Sequence, residues 1–187
     1  MQLPGPQHLG LIYLLSEVLL SITHRSRGDG VRQDRSTLRL LWLVILLSVG
    51  AGLYVAVRWQ AAALPHRQVL RAVAVVIFAA GLLLRWWAIS TLGRFFTVDV
   101  QIARDHDLVD RGPFRVVRHP SYTGVLLAFL GFALSLANWA ALLVILVPIF
   151  VVFLRRMDVE EQALTTALGE RYVRYMERTK RLLPGIY

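Results

Sequence analysis

Two short runs in the second half of the chain carry residue types that do chemistry. Arg118-His119-Pro120-Ser121-Tyr122-Thr123-Gly124 supplies a cation, an imidazole and a phenol, while Arg155-Arg156 and Glu160-Glu161 supply cations and carboxylates. Between them, His119 to Leu154 is a stretch of 36 residues without Asp, Glu, Lys or Arg. One straight helix of that length would reach about 54 Å, nearly twice a hydrocarbon core of ~30 Å. Asn138-Trp139 near its middle is the expected turn, giving a helical hairpin near 122–137 and 139–154. Such a hairpin returns Arg156 and Glu160 to the depth of His119 and Tyr122, at the mouth of an apolar bundle. Cation, carboxylate, imidazole and phenol meeting there describe a site for an amphipathic ligand. Each piece alone has a plainer reading. Pro120 suits a first helical turn, whose N–H groups also favour an anionic group, and Arg156 and Glu160, four apart, can pair along a helix.

The elements that position these residues are membrane spans. The 187 residues are 56% hydrophobic and only 18% charged, where soluble domains average roughly a quarter charged. Leu40 to Val57 is free of charge and long enough to span. Leu9 to Ile22 is a shorter candidate containing Glu17, and Val69 to Leu92 is a third containing Arg71 and Arg85. With the hairpin, five transmembrane helices are expected in an all-α integral membrane protein forming a single membrane domain over 1–187. Three N-terminal spans occupy 1–92, and the region 93–187 holds the hairpin 119–154 and the tail 155–187. Glu17 reads as a snorkelling or arginine-paired group, and Arg85, beside Trp86-Trp87, as an interfacial one.

Charge fixes the expected orientation. With five spans, the loop 23–38 with Arg39, the loop 93–118 and the tail after 154 share one side and hold 17 of the 21 Lys and Arg residues, against three opposite. That asymmetry predicts an N-terminus outside and a C-terminus in the cytoplasm, in the inner (plasma) membrane if the source is prokaryotic. It also explains the net charge of +9 without nucleic acid. The stretch 9–22 lacks a basic start and a small-residue cleavage site, so it does not read as a signal peptide. On the cytoplasmic side, Phe96, Val98, Val100 and Ile102 alternate with polar residues. They predict a short β-hairpin-like loop that returns at Leu108-Val109. The tail 157–180 has Leu164, Leu168, Tyr172 and Tyr175 at helical spacing, an amphipathic helix ended by Pro184. Zero cysteines, and five histidines without an HxxxH or HExxH pair, leave no ligand set for a metal.

The ordered series Arg118 to Gly124, a hydrophobic stretch, then Glu160-Glu161 resembles the isoprenylcysteine carboxyl methyltransferase family. Integral-membrane phospholipid N-methyltransferases look similar at the same positions. The likeness covers about 81–187, including Leu92-Gly93, His106-Asp107-Leu108-Val109, Gly112-Pro113-Phe114, Leu168-Gly169 with Tyr172 and Tyr175, and Leu183-Pro184. It is nearest the compact prokaryotic form, since eukaryotic members carry more N-terminal spans. The resemblance implies an S-adenosylmethionine-dependent carboxyl methyltransferase whose lipid-like acceptor enters from the bilayer. It implies that Gln101, His106, Leu108, Val109, Phe114, His119, Pro120, Tyr122 and Glu160 line the cofactor pocket, with backbone contacts from Asp107 and Ser121. Arg156 matches the arginine that faces the acceptor's carboxylate. Glu161 and Tyr172 are further candidates. Phe114 stands where the family usually has tyrosine, so a contact through that hydroxyl is absent.

The chemistry agrees. A carboxylate acceptor, pKa ~4, is ionised at neutral pH and needs no general base. Arg156 can hold it bidentately, and the rest is positioning and dehydration. Three rivals remain. An amine headgroup or small thiol would need a base such as His119 or Glu161. A membrane reductase would use NADPH, and a non-enzymatic assembly protein would bind no nucleoside at all.

Overall fold

The computed structural model describes residues 3–23, 31–32, 35–96, 101–102 and 107–187, with side chains placed for all of these except 31, 32, 35, 36, 94, 101 and 102. Among the described residues six α-helices follow one another: α1 (Pro6–Thr23), α2 (Arg35–Arg58), α3 (Arg67–Leu92), α4 (Pro120–Ser135), α5 (Trp139–Leu168) and α6 (Glu170–Arg178). Three segments among the described residues are long and apolar enough to cross a membrane, namely Thr37–Arg58, Arg67–Leu92 and Trp139–Leu168. The protein is therefore an integral membrane protein built almost wholly of helix. The other two expected spans are helices too. However, α1 has Gln7, His8 and Glu17 among its 18 residues, and α4, at 16 residues, reaches only about 24 Å.

Apolar residues face outward as well as inward, as a lipid solvent allows. In α1 only the stripe of Leu9, Tyr13, Ser16 and Leu20 is buried, while Leu11, Leu15, Val18 and Ile22 are exposed. The core gathers Leu9 and Tyr13 of α1, Leu41 of α2, Phe78 of α3, Val125, Phe129 and Phe132 of α4, and Ile145, Ile149 and Phe153 of α5. α3 packs closely on α4 through glycine. A Cβ on Gly124 would lie 2.7 Å from the Arg85 amide nitrogen, and one on Gly131 would lie 2.6 Å from the Ala74 carbonyl oxygen. Missing side chains let the two backbones touch where no hydrophobic force drives helices together. Gly131→Val is expected to cost about 1–3 kcal/mol or more by overpacking. Thermal unfolding in detergent should read this as a midpoint lower by roughly 5–10 °C.

The expected turn at Asn138-Trp139 forms. The Asn138 side chain caps α5 by accepting from the Ala141 N–H at 3.0 Å, and its Nδ2 donates to the Trp59 carbonyl at 2.9 Å. The Leu64 N–H donates to the Ala137 carbonyl at 2.7 Å, so the hairpin tip is tied to the segment between α2 and α3.

Two expectations are corrected. The strand Gln101–Ile102 (β2) does not return at Leu108-Val109. It pairs antiparallel with Val31–Arg32 (β1), and residues 107–110 form no strand. A two-residue ladder needs only backbone donors and acceptors brought into register, and the bundle brings them from far along the chain. The amphipathic helix over 157–180 is split. α5 runs unbroken through Arg156 and Glu160 to Leu168, and Gly169, with φ of 57°, ends it before α6. A left-handed glycine terminates a helix at little steric cost.

Candidate active site at the mouth of the hairpin

The start of α4 is held from two sides. Pro120 occupies its first turn, where a missing N–H costs nothing. The backbone N–H groups of Arg118 and His119 donate to the carbonyls of Lys180 and Arg181, at 2.7 and 3.0 Å, and Thr123 Oγ1 donates to the Leu182 carbonyl at 3.0 Å. The C-terminal segment thus clamps the His-Pro-Ser-Tyr turn. The clamp centres on Glu161. Its Oε1 accepts from Arg118 Nε at 2.9 Å and lies 3.0 Å from His119 Nε2, while its Oε2 accepts from Arg181 NH2 at 2.6 Å.

Tyr122 joins α4 to α5. Arg156 Nε donates to the Tyr122 oxygen at 3.1 Å, and the Tyr122 hydroxyl donates to Glu160 Oε2 at 2.6 Å. Arg156 NH1 also donates to Thr37 Oγ1 of α2 at 3.4 Å. The His119 and Tyr122 rings stack 5.4 Å apart, and Phe153 packs at 5.1 Å on the phenol. Arg156 is only 4% exposed. A buried guanidinium is costly unless hydrogen-bonded and near a counter-charge, so its position is specified rather than incidental.

These groups line one cleft with about 1300 Å³ of empty space, its open mouth included. Asp107, Leu108, Val109, Phe114, His119, Ser121, Tyr122, Arg156, Glu160 and Tyr172 all line it. Leu108, Val109 and Phe114 make an apolar shelf. Behind them the Tyr175 hydroxyl of α6 donates to the Phe114 carbonyl at 2.7 Å. Burial pushes the Tyr175 phenol up to about 12, and burial likewise raises Tyr172, so both hydroxyls stay protonated donors at neutral pH. Asp107–Arg171 at 2.6 Å and Asp110–Arg178 at 2.7 Å tie the same segment to α6 from outside. Exposed pairs of this kind contribute only about 0–1 kcal/mol each.

The structure does not bring every candidate into the wall. Pro120 is buried in the helix start and Glu161 points into the clamp, so neither lines the cleft. Glu160 and Glu161 are neighbours on α5, and a step of about 100° along a helix separates their directions. His106 and the side chain of Gln101 lie outside the described residues. Conversely, Glu17 and Arg85, which read as structural groups, line the cleft, as do Leu38, Leu41, Trp42 and Ile45 of α2. The α2 residues were legible only as one face at helical spacing. Among the described residues no three or more His, Cys, Asp or Glu side chains are placed to hold a metal ion.

The cleft adjoins an apolar groove with ≈ 740 Å³ of empty space, and Tyr13, Trp42 and Ile45 line both. The groove runs between α1 and α2 over Phe78, Ala128 and Phe132. Leu14 and Leu46 line it and are 58% and 71% exposed, so it opens on the outer apolar face.

The phospholipid methyltransferase family model matches residues 69–171, the stretch that contains α4, the capped turn and the whole of α5. The chain is 32% identical to protein-S-isoprenylcysteine O-methyltransferase B of Arabidopsis thaliana, over 63% of this chain and 70% of that protein. It is 31% identical to protein-S-isoprenylcysteine O-methyltransferase A of the same plant, over 60% of this chain and 58% of that one. A solved structure of the eukaryotic intramembrane Ras methyltransferase, isoprenylcysteine carboxyl methyltransferase, superposes with a TM-score of 0.70 at 22% identity, covering 98% of this chain and 68% of that one. The fold is thus shared along nearly the whole chain, and the matched sequence contains the Tyr122–Glu160 junction. The chain belongs to the isoprenylcysteine carboxyl methyltransferase family.

Proposed function

We propose that this protein is an integral-membrane S-adenosylmethionine-dependent methyltransferase that esterifies the carboxylate of an apolar, isoprenylcysteine-type acceptor. The observation that carries the reading is the relay of Arg156, Tyr122 and Glu160 in a cleft that continues into a lipid-facing groove. The donor set fits the cofactor. Glu160, with a side chain 31% exposed, accepts from ribose hydroxyls or from the ammonium. Leu108, Val109 and Phe114 suit a flat adenine, and His119 adds a polar edge. When bound, the cofactor supplies an electrophilic methyl on a sulfonium.

Arg156 orients the acceptor's carboxylate, and the groove between α1 and α2 takes its apolar chain. Charge supports a carboxylate over an amine. The ionisable side chains lining the cleft include three acids, Glu17, Asp107 and Glu160, and three arginines, Arg85, Arg118 and Arg156. A cofactor of net single positive charge and an anionic acceptor leave that balance unchanged. Their reaction removes one charge of each sign, which weak dielectric screening favours. A thiol or amine acceptor would further need a base: Glu161, engaged by Arg118 and Arg181, is not presented to the cleft, and His119, which lines it, has its Nε2 held 3.0 Å from Glu161 Oε1. The same reading has all five longer helices crossing the bilayer, with the C-terminus in the cytoplasm and, in a prokaryotic cell, in the inner membrane.

The test is calorimetric titration of S-adenosylmethionine and NADPH into detergent-purified protein, followed by transfer to a prenylcysteine carboxylate. Saturable binding of S-adenosylmethionine alone is expected. The rate should stay flat between about pH 6 and 9, because the acceptor is already ionised. A rate rising with an acceptor pKa near 8 to 10 would move the reading to a thiol or amine, and NADPH binding would replace it with a reductase.

A further inference from the structure

Glu17 and Arg85 stand 68 residues apart and meet in a bidentate pair, Arg85 Nε to Oε1 at 2.6 Å and NH2 to Oε2 at 2.7 Å. Arg85 NH1 donates to Ser121 Oγ at 2.9 Å, which ties the pair to the first turn of α4. One residue along on each helix, Trp86 Nε1 donates to Ser16 Oγ at 2.8 Å. An ion pair at membrane depth is costly, and hydrophobic packing of equal volume usually serves stability as well or better. Its location gives it another use. α1 is buried along a single stripe, and two polar links, from Ser16 on that stripe and from Glu17 beside it, lead to α3. The helix so held forms one wall of the cleft through Tyr13 and Glu17, and one wall of the groove through Gly10, Tyr13 and Leu14. Tyr13, one turn before Glu17, lines both cavities.

We propose that Glu17 is a positioning residue for the acceptor: by gripping Arg85 it fixes the rotation and distance of α1 against the bundle, and so sets the width of the groove that receives the acceptor's chain. The inference rests on the reading of that groove as the acceptor's seat. It makes Glu17 and Arg85 determinants of acceptor KM and chain-length preference, acting through α1 and not on the methyl group.

Removing one partner strands a charge, so the informative variant removes both. The full chain carrying E17Q and R85Q is compared with wild type and with the exchanged pair E17R/R85E, using geranyl, farnesyl and geranylgeranyl cysteine acceptors. In E17Q/R85Q the acceptor KM is expected to rise about tenfold or more and the preference among chain lengths to flatten, with kcat and the cofactor Kd within about threefold. The exchanged pair, which re-forms the link between α1 and α3, restores both. Because the chain has no cysteine, spin labels at L11C and L43C, exposed positions on α1 and α2, report the wall directly. Their distance distribution should broaden in E17Q/R85Q and narrow again in E17R/R85E.

Unchanged KM and chain preference in E17Q/R85Q would reduce the pair to a stabilising contact and overturn the inference. So would a joint loss of kcat or cofactor affinity, or a narrow distance distribution in E17R/R85E without recovery of KM. Wild-type protein that binds cofactor but methylates none of the acceptors would instead defeat the proposed function, and this inference with it.

Discussion

Arg156→Ala is expected to lower kcat for carboxyl methylation by roughly 100- to 1000-fold, since it removes the one oriented cation assigned to the reacting carboxylate. The cofactor Kd should change by no more than about threefold. The geometry gives the reason for the split. Arg156 reaches the Tyr122 oxygen through Nε and Thr37 through NH1, so it bridges α5 to α4 and α2 across the cleft. Its planar fork suits a carboxylate that must be held still while an in-line displacement occurs. Arg156→Lys should recover only about a tenth of the lost activity, because an ammonium keeps the charge and loses the fork. The checks are steady-state kinetics and a cofactor titration on the same preparations, with thermal midpoints to show that the protein is folded. Weakened cofactor binding with kcat intact would remove Arg156 from the acceptor side.

Glu160→Ala should act on the other substrate. Hydrogen bonds to a charged group contribute about 1.5–3 kcal/mol, so the cofactor Kd should rise roughly 10- to 100-fold. The rate at saturating cofactor should fall much less. Glu160 is suited to this because its Oε2 is fixed by the Tyr122 hydroxyl at 2.6 Å while its side chain remains 31% exposed. Glu160→Gln keeps an oxygen for Tyr122 and should recover part of the affinity. Glu161→Gln offers the contrast. Glu161 is engaged by Arg118 and Arg181 and lies outside the cleft wall. Its loss should therefore appear as lower thermal stability, with the cofactor Kd of the folded fraction little changed. Calorimetry on the two variants side by side separates the roles, and equal losses of affinity would place both carboxylates on the cofactor.

Residue order and composition suffice for the helical membrane class, the long spans at α2 and α3, and the hairpin turn at Asn138-Trp139. Hydrocarbon solvent imposes its demand locally, on about 20 residues at a time, so spans are written into composition. The same hairpin argument placed Arg156 and Glu160 beside Tyr122, because two antiparallel helices of known rise have little choice about where their ends meet. Tertiary structure decided the rest. Helix rotation turned Glu160 to the cleft and its neighbour Glu161 into a three-way clamp with Arg118, His119 and Arg181. Long-range packing joined Glu17 to Arg85 and paired Gln101–Ile102 with Val31–Arg32. Neither rotation nor partner choice leaves a mark in hydropathy. Both follow from how glycine surfaces, caps and ion pairs settle the helices against one another, and that is a property of the whole bundle.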